Sequence, residues 1–239
     1  MAKIMGNPTT ELAYITVKEG LERDALREST PAGQAFAYMI DMVIKAPGAR
    51  GAHWGPSVEN PRQIWILVAW DDIQDHLNYR ETETLAEVTR RLSPHVDIPA
   101  GYQICHVNPP VTHPFNISGC RVVEILSLCF PSDLEAATKK VVEKNFELFI
   151  EKAITPAGLC RGHSKGWTVE SNVELQGEPG SSFLIYVATL AWDSVEQHQE
   201  NRELDIFKKN VQLLRNLPGL TRLNSFHVQT RSVYSSYST

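Results

Sequence analysis

Hydrophobic residues form two long segments that lack any alternation with polar residues. These are IWILVAW at 64–70 and FLIYVATLAW at 183–192. An apolar run of strand length without alternation is typical of a strand that is covered on both faces. Each run is preceded by a short β-rich segment, ELAYITVKEG at 11–20 and RVVEILSLCF at 121–130, which predicts a first strand. A similar set of strands is therefore expected in each half of the chain.

Helices are predicted between the first and second strands of each half. Residues 30–48 begin with Thr before Pro and end at Pro-Gly, which are helix start and stop signals. In the second half, Ser132 and Glu135 have the spacing of a capping box, which satisfies free backbone N–H groups at a helix start. Second strands are predicted at 48–55 and 160–170, and a second helix and a fourth strand follow each long apolar run. The predicted order is β-α-β-β-α-β, twice.

A twelve-residue motif occurs twice, as WDDIQDHLNYRE at 70–81 and WDSVEQHQENRE at 192–203. The two copies share Trp, Asp, His, Arg and Glu at the same spacing, with an offset of 122 residues. Two further pairs keep the same order at offsets of 121 and 110, namely His106 with His227 and His53 with His163. A longer loop between the second and third strands of the second half explains the change of offset, and such insertions are tolerated at low cost. The pattern indicates an internal repeat.

In both copies the strand-ending Trp is followed by an Asp that is predicted to begin the next helix. Asp71 stands three residues before Gln74, and Asp193 stands three residues before Glu196. This spacing favours a helix N-terminus capped by the Asp side chain.

The chain is predicted to divide into two ferredoxin-like repeats, at 10–109 and 120–230, followed by a polar tail at 231–239. The boundary falls in residues 108–119, whose Pro, Asn and Gly content is typical of a linker. A ferredoxin-like unit has helices on one side of an antiparallel sheet, and a tandem copy can cover the open side. The predicted fold class is α+β, with the two βαββαβ repeats packed sheet to sheet. The tail is expected to be flexible or to strap the barrel.

The repeated strand-Trp-Asp-x-x-x-x-His-x-x-x-Arg-Glu motif resembles the dimeric α/β-barrel superfamily, and most of all its antibiotic-biosynthesis-monooxygenase-type domains as found in fungal proteins. The resemblance covers roughly residues 10–109 and 120–230. It implies an intrachain barrel with a mostly apolar pocket in each half, between helices and sheet. Such families contain cofactor-independent monooxygenases, polyketide cyclases, decarboxylases and isomerases, and also heme-binding relatives that keep a proximal His in their second half. The resemblance narrows the ligand to a small apolar molecule and leaves the reaction open.

Composition and charge exclude several partner classes. The net charge of −5 and the pI near 5.9 give no electrostatic footprint for nucleic acid. Neither a basic cluster nor an apolar run of bilayer-spanning length indicates a membrane partner. The four cysteines form no CxxC pair and, without a signal-peptide pattern, predict reduced thiols in a cytoplasmic protein. No spacing of His, Cys or Asp predicts a metal site, no cofactor is expected, and a monomer or a homodimer is compatible with the duplication.

Four residues are candidates for catalysis: His163, Glu124, His53 and Asp41. The two histidines lie on predicted second strands beside tryptophans, where burial would keep them neutral and suited to base chemistry, or they face solvent at a strand edge. Glu124 interrupts an apolar strand, and the first-half position that matches it is near Ala13; it is either a general acid or base or an outward-facing residue.

Asp41 similarly interrupts an apolar helix, or it lies on that helix's solvated face. The aromatic residues that are candidates for substrate binding are Tyr14, Tyr38, Trp54, Trp65, Trp167 and Tyr186. For Tyr14, Tyr38, Trp65 and Tyr186, packing in the core is the favoured interpretation.

The repeated histidines, His76 and His198, have two possible roles. Each stands one helical turn before an Arg on the same face and could act as an acid or base at a pocket mouth. Because both halves keep the His, a structural role is favoured, in which it packs on Trp70 or Trp192 and helps to hold the helix in place.

Three functions are compatible with these features. The preferred one is a cofactor-independent enzyme of secondary-metabolite biosynthesis that directs cyclisation, rearrangement or elimination of a polyketide- or terpenoid-like intermediate. The second is a cofactor-free monooxygenase acting on a phenol or quinol, and the third is a non-catalytic protein that binds a small molecule.

Overall fold

The computed structural model describes residues 6–117, 120–174 and 180–234, and this part of the chain contains nine β-strands and seven α-helices. The strands are β1 (Thr9–Thr16), β2 (Ala49–Pro56), β3 (Gln63–Trp70), β4 (Tyr102–Asn108), β5 (Val122–Pro131), β6 (Gly162–Thr168), β7 (Phe183–Trp192), β8 (Arg222–Gln229) and β9 (Arg231–Tyr234). The helices are α1 (Pro31–Ile44), α2 (Ile73–Arg80), α3 (Glu83–Leu92), α4 (Ala136–Phe149), α5 (Val195–Glu203), α6 (Asp205–Asn210) and α7 (Gln212–Arg215).

The strands form one antiparallel sheet in the order β8-β5-β7-β6-β4-β1-β3-β2-β9. This order contains the same four-strand pattern twice, because β4-β1-β3-β2 in the first half matches β8-β5-β7-β6 in the second. The halves join on one side where Val107 and Asn108 of β4 pair with β6, and on the other side where Ser57 bridges Val228 of β8. The sheet thus curls into a nearly closed barrel, and the predicted fold of two tandem ferredoxin-like repeats is confirmed. The limits of 10–109 and 120–230 stay a prediction about domains.

Alternation along the strands separates an inner from an outer face. The inner side chains of both repeats meet in one cluster that includes Leu12, Trp65, Cys105, Ile125 and Val187. The outer faces pack on helices in two separate clusters, one for each repeat. Since both faces of β3 and β7 are covered, the long apolar runs show no polar alternation.

The first part of the linker lies inside the barrel. Val111 and Phe115 are buried among the inner side chains. The Val111 backbone is held on both sides, because its N–H donates to Thr10 Oγ1 at 3.0 Å and its carbonyl accepts from Thr189 Oγ1 at 2.7 Å. The predicted linker therefore also supplies core residues; its positions 118–119 lie outside the described residues.

Helix caps differ from the prediction at three places. The caps of α2 and α5 are Asp72 and Ser194, whose side chains accept from Gln74 N and Gln197 N. Helix α4 begins at Ala136, and its N-cap, Glu135, makes no side-chain cap bond, so the predicted capping box is wrong. An exposed pair at a turn gains little from such a box, because water can satisfy the same N–H groups.

The preceding Asp of each motif has another partner. Asp71 accepts two hydrogen bonds from the Arg50 guanidinium, at 2.5 and 2.8 Å, and Asp193 accepts two from Arg161, at 3.0 and 2.6 Å. Both arginines belong to the second-strand side of their repeat, so this fork-shaped pair ties the end of the third strand to the second-strand segment.

The start of the polar tail forms a strand. Residues Arg231–Tyr234 pair with β2, while residues 235–239 lie outside the described part. The strap alternative is the one seen for these four residues. Within the described ranges, the helices are too short and too polar to cross a bilayer.

Candidate functional site

A cavity of about 370 Å³ lies in the first repeat, between the outer face of the sheet and helices α1, α2 and α3. Its volume falls within the range of small-molecule sites. Its apolar and aromatic lining comes from Ala13, Tyr14, Ile15, Met39, Val43, Ile66, Val68, Tyr79, Leu85, Val88, Leu92, Val96, Ile98, Tyr102 and Ile104. The cavity can therefore hold a small and largely apolar molecule.

The corresponding space in the second repeat is much smaller, about 70 Å³. Strand register places Leu126 where the first repeat has Ala13, since Ala13 pairs with Ile66 and Leu126 with the matching residue of β7. Phe149 and Phe207, whose ring centroids are 5.8 Å apart, close the space from the helix side. Only the first of these two spaces has room for a ligand of several rings.

A charged and hydrogen-bonding group of residues forms one end of the first cavity. Glu11, His76 and Arg80 all line it. Trp70 Nε1 donates to Glu11 Oε2 at 3.0 Å, and His76 Nε2 lies 3.5 Å from Glu11 Oε1. Burial raises the pKa of Glu11, although the Trp70 hydrogen bond opposes it. Burial is the largest cause that lowers the pKa of His76, to about 3, so this imidazole is neutral near pH 7.

His76 is linked to the second repeat through a second histidine. Its Nδ1 lies 2.6 Å from His106 Nε2, and His106 Nδ1 lies 2.5 Å from Glu170 Oε1. The backbone N–H of His106 also donates to Glu170 Oε2, at 2.9 Å. Burial would raise the pKa of Glu170, but several opposing interactions, first among them the two hydrogen bonds from His106, together hold that pKa below its usual value. The Glu170 side chain is 31% exposed, so the row of groups runs from the cavity to solvent.

The second repeat contains the same arrangement with the halves exchanged. His198 Nδ1 lies 2.7 Å from His227 Nε2, and His227 Nδ1 lies 2.5 Å from Oε1 of Glu59, a first-repeat residue. Glu124 accepts from Trp192 Nε1 at 3.3 Å and lies 3.4 Å from His198 Nε2. Each repeat thus supplies a carboxylate to the histidine pair of the other.

Two of the predicted catalytic residues are acids, and they lie in different surroundings. Glu124 is buried and lines the small space of the second repeat. Its counterpart is Glu11, not the neighbourhood of Ala13, because the two glutamates pair with the equivalent residues of β4 and β8. Asp41 lies on the exposed side of α1, in an ion pair with Lys45 at 2.7 Å.

The other two, His53 and His163, lie on opposite faces of the barrel wall. The register matches His53 with Ser164, an offset of 111, so the pairing of His53 with His163 is wrong by one residue. A shift of one residue in a strand moves a side chain to the other face. His53 points into the barrel, with Nδ1 2.8 Å from Ser232 Oγ, whereas His163 packs on the helix side near Phe146. Neither lines the first-repeat cavity.

Tyr14 and Trp65, predicted to contact substrate, are neighbours with ring centroids 4.9 Å apart. Both border a separate space of about 400 Å³ at one end of the barrel interior, and Tyr14 also borders the first-repeat cavity.

The remaining predicted aromatic residues pack elsewhere. Trp54 lies under Arg231, and Tyr38 lies under Arg91 with the guanidinium carbon 4.1 Å from the ring centre. Trp167 and Tyr186 contact each other in the outer cluster of the second repeat, with centroids 4.8 Å apart. None of these four lines the first-repeat cavity.

The repeated histidines do stack on the repeated tryptophans. Ring centroids are 5.3 Å apart for Trp70 and His76, and 4.6 Å apart for Trp192 and His198. Their hydrogen-bonding partners were not predicted from the sequence. One signal was present: a Val-Glu pair follows the second strand in both halves, at 58–59 and 169–170. Its offset of 111 is the true offset of that region.

Within the described residues, the four cysteines are free and no group of three or more His, Cys, Asp or Glu side chains could hold a metal ion. Two cysteines, Cys105 and Cys129, are buried in the barrel interior, where burial raises the pKa of each thiol.

The buried His53 predicts a pH effect on stability. Burial lowers its pKa to about 4 in the folded chain. Below about pH 6.5 the unfolded chain binds a proton that the folded chain does not, so stability is lost as the pH falls towards 4. Between about pH 7 and pH 5, the unfolding free energy of the wild type should fall by about 2 kcal/mol more than that of His53→Gln. Urea denaturation of both proteins at the two pH values measures this difference; equal losses would contradict it.

Comparison with known proteins identifies the fold. No protein-family model and no curated protein matches the chain. Solved structures do match along nearly its whole length. An anthrone oxidase-like protein covers 98% of the chain and 95% of its own length, at a TM-score of 0.65 and 11% identity. The chain has the fold of this protein.

Two candidate monooxygenases share it. The one from Fusobacterium nucleatum covers 97% of the chain and 96% of its own length, at a TM-score of 0.62 and 9% identity. The one from Lactobacillus acidophilus covers 96% and 97%, at a TM-score of 0.54 and 9% identity. The likeness extends over both repeats, and the fungal type of the resemblance stays a prediction.

Proposed function

We propose that this protein is a cofactor-independent enzyme of secondary metabolism that removes a proton from a small, largely apolar substrate in the first-repeat cavity. One observation carries the proposal: an apolar space of about 370 Å³ ends at a neutral, buried histidine flanked by a carboxyl group and an arginine. Apolar walls select the substrate and hold one conformer, while the polar end acts on one acidic bond.

His76 Nε2 is the proposed base. The imidazole is neutral near pH 7, and Nε2 is the ring nitrogen on the side of Glu11, which also lines the cavity. The Arg80 side chain lines the same cavity and supplies a positive charge for the substrate anion that forms. A ring ketone, phenol or quinol fits this end, because its anion spreads charge over the ring and onto oxygen.

Oxygenation by O₂ is the proposed fate of the anion. A ring CH₂ becomes C=O, one atom of O₂ enters the product, and the other leaves as water with the two hydrogens of the substrate. The substrate supplies the electrons, so no further reductant is required. Support comes from the names of three of the structural neighbours that match nearly the whole chain, an anthrone oxidase-like protein and two candidate monooxygenases.

Cyclisation, rearrangement or elimination of the same anion is the second candidate. It is favoured by the same polar end, since a group that removes a proton can return it to another atom without any oxidant. Such products would be isomers of the substrate or would have lost water.

The test has two parts. The purified protein is incubated with anthrone as the probe, and the metabolite profile of the source organism is compared with that of a strain that lacks the gene. Under ¹⁸O₂, a product that gains one ¹⁸O and loses two hydrogens would support oxygenation. An isomer, or loss of water, formed equally well without oxygen would overturn oxygenation and support the second candidate. Retention of unchanged ligand by the purified protein, together with unaltered profiles, would overturn both and favour a binding protein.

A further inference from the structure

The cavity-facing histidine is connected to a carboxylate that the other repeat provides. His106 offers two hydrogens to Glu170, one from its backbone N–H to Oε2 and one from Nδ1 to Oε1. An ionised carboxylate only accepts hydrogen bonds, so His106 Nδ1 must carry a hydrogen. When the His106 ring is neutral, this contact therefore places its single ring hydrogen on Nδ1.

The position of the hydrogen on His106 in turn determines the position of the hydrogen on the His76 ring. With its hydrogen on Nδ1, neutral His106 has a lone pair on Nε2, and the nitrogen 2.6 Å away, His76 Nδ1, must be the donor. Neutral His76 then has its own lone pair on Nε2, the nitrogen that lies 3.5 Å from Glu11. The His76 tautomer that a base needs is thus selected by Glu170, which acts through His106.

We propose that Glu170 is a positioning residue of the first-repeat site, which fixes both histidine tautomers so that an unprotonated Nε2 of His76 faces the cavity. The site of one repeat is therefore completed by a side chain of the other. This rests on the proposed function only where His76 serves as the base; the tautomer assignment itself does not.

The same row of groups provides a route for the proton. When His76 Nε2 gains a proton, its Nδ1 proton can pass to His106 Nε2 while the His106 Nδ1 proton passes to Glu170. Both rings end neutral and Glu170 ends protonated, so no buried imidazolium remains. Because Glu170 is partly exposed, it can release the proton to water.

The second repeat offers a matched control. Glu59 has the same contacts to His227, which lies 2.7 Å from His198, but Glu124 and His198 there border a space of only about 70 Å³. Glu59→Gln should change the tautomers of the second pair and leave turnover at the first-repeat cavity unaltered.

The test is ¹⁵N NMR of the imidazole rings in wild type, Glu170→Gln, Glu170→Asp and Glu59→Gln. In the wild type, His76 and His106 should show Nδ1–H and an unprotonated Nε2. A glutamine has one acceptor oxygen for two donors, so in Glu170→Gln both rings should change to Nε2–H, and kcat should fall by about 10²-fold or more with little change in KM. Glu170→Asp keeps a carboxylate and should recover part of the wild-type tautomer signal and part of the wild-type kcat.

The outcomes separate the two proposals. Unchanged His76 and His106 tautomers in Glu170→Gln, or Nε2–H rings in the wild type, would overturn the role of Glu170 whatever the activity. Changed tautomers with undiminished turnover would uphold the tautomer assignment and remove His76 as the base.

Discussion

Replacing His76 by Asn should lower kcat by about 10²–10⁴-fold, the usual contribution of a general base. Asn is close to His in size at Cγ and can keep a hydrogen bond to His106, but it has no basic nitrogen to accept the substrate proton. Binding should change much less, because the apolar walls remain. Steady-state kinetics with the substrate identified by the oxygen-labelling experiment measure kcat and KM separately.

His198→Asn is the matched control for this loss. It removes the same stacking on a tryptophan and alters the same contact with a buried histidine, but in the repeat whose space is only about 70 Å³. Both variants should lose a similar amount of stability, about 1–3 kcal/mol, because each disturbs a buried hydrogen-bonded pair. Only His76→Asn should lose turnover; equal losses of kcat in both would show that the defect comes from folding.

Replacing a small residue of the first-repeat cavity by the larger residue found at the same register in the second repeat should block substrate binding. Ala13→Leu places at β1 the residue that the second repeat has at the same register, Leu126. The added side chain occupies space that the substrate needs, so affinity should fall by about tenfold or more. The melting temperature should hold or rise, since an existing cavity is filled. Isothermal titration with the substrate and a thermal melt together give both quantities.

The reverse change, Leu126→Ala, is predicted to affect stability instead of binding. It leaves a hole in a packed cluster and should cost about 2–5 kcal/mol of unfolding free energy. Substrate affinity at the first cavity should stay at the wild-type value. A loss of affinity in Leu126→Ala as large as that in Ala13→Leu would mean that the ligand binds elsewhere.

The fold was predictable because its determinants are local and repeated. The long apolar runs predict β3 and β7. The motif that begins at Trp70 and at Trp192 predicts that a helix follows each of these strands, and its repetition predicts the same order of elements in both halves. Caps were less predictable: Asp71 and Asp72 are adjacent and chemically identical, and only the tertiary contact with Arg50 decides which one caps the helix.

The site was predicted less well, for two physical reasons. The two glutamates of the first-repeat site, Glu11 and Glu170, are 159 residues apart in the sequence. They become connected through His76 and His106 only when the sheet closes, which no local pattern reveals. The alignment of His53 with His163 was wrong by one residue. Because neighbouring strand residues point to opposite faces, the two histidines lie on opposite faces of the barrel wall, and neither lines the first-repeat cavity. The volume of each cavity also depends on small differences in side-chain size, such as Ala13 in the first repeat and Leu126 in the second. These two residues can be recognised as equivalent only when the strand register is known.

The exchange of carboxylates between repeats limits how such a duplicated chain can diverge. A second repeat whose pocket is much smaller would ordinarily tolerate substitutions in its loops. Here Glu170, in one of those loops, is hydrogen-bonded to His106 of the other half, so under the proposed mechanism a constraint on the larger pocket also acts on the other repeat. Each half is in this sense a subunit of the other, and fusion into one gene keeps the two at equal dosage.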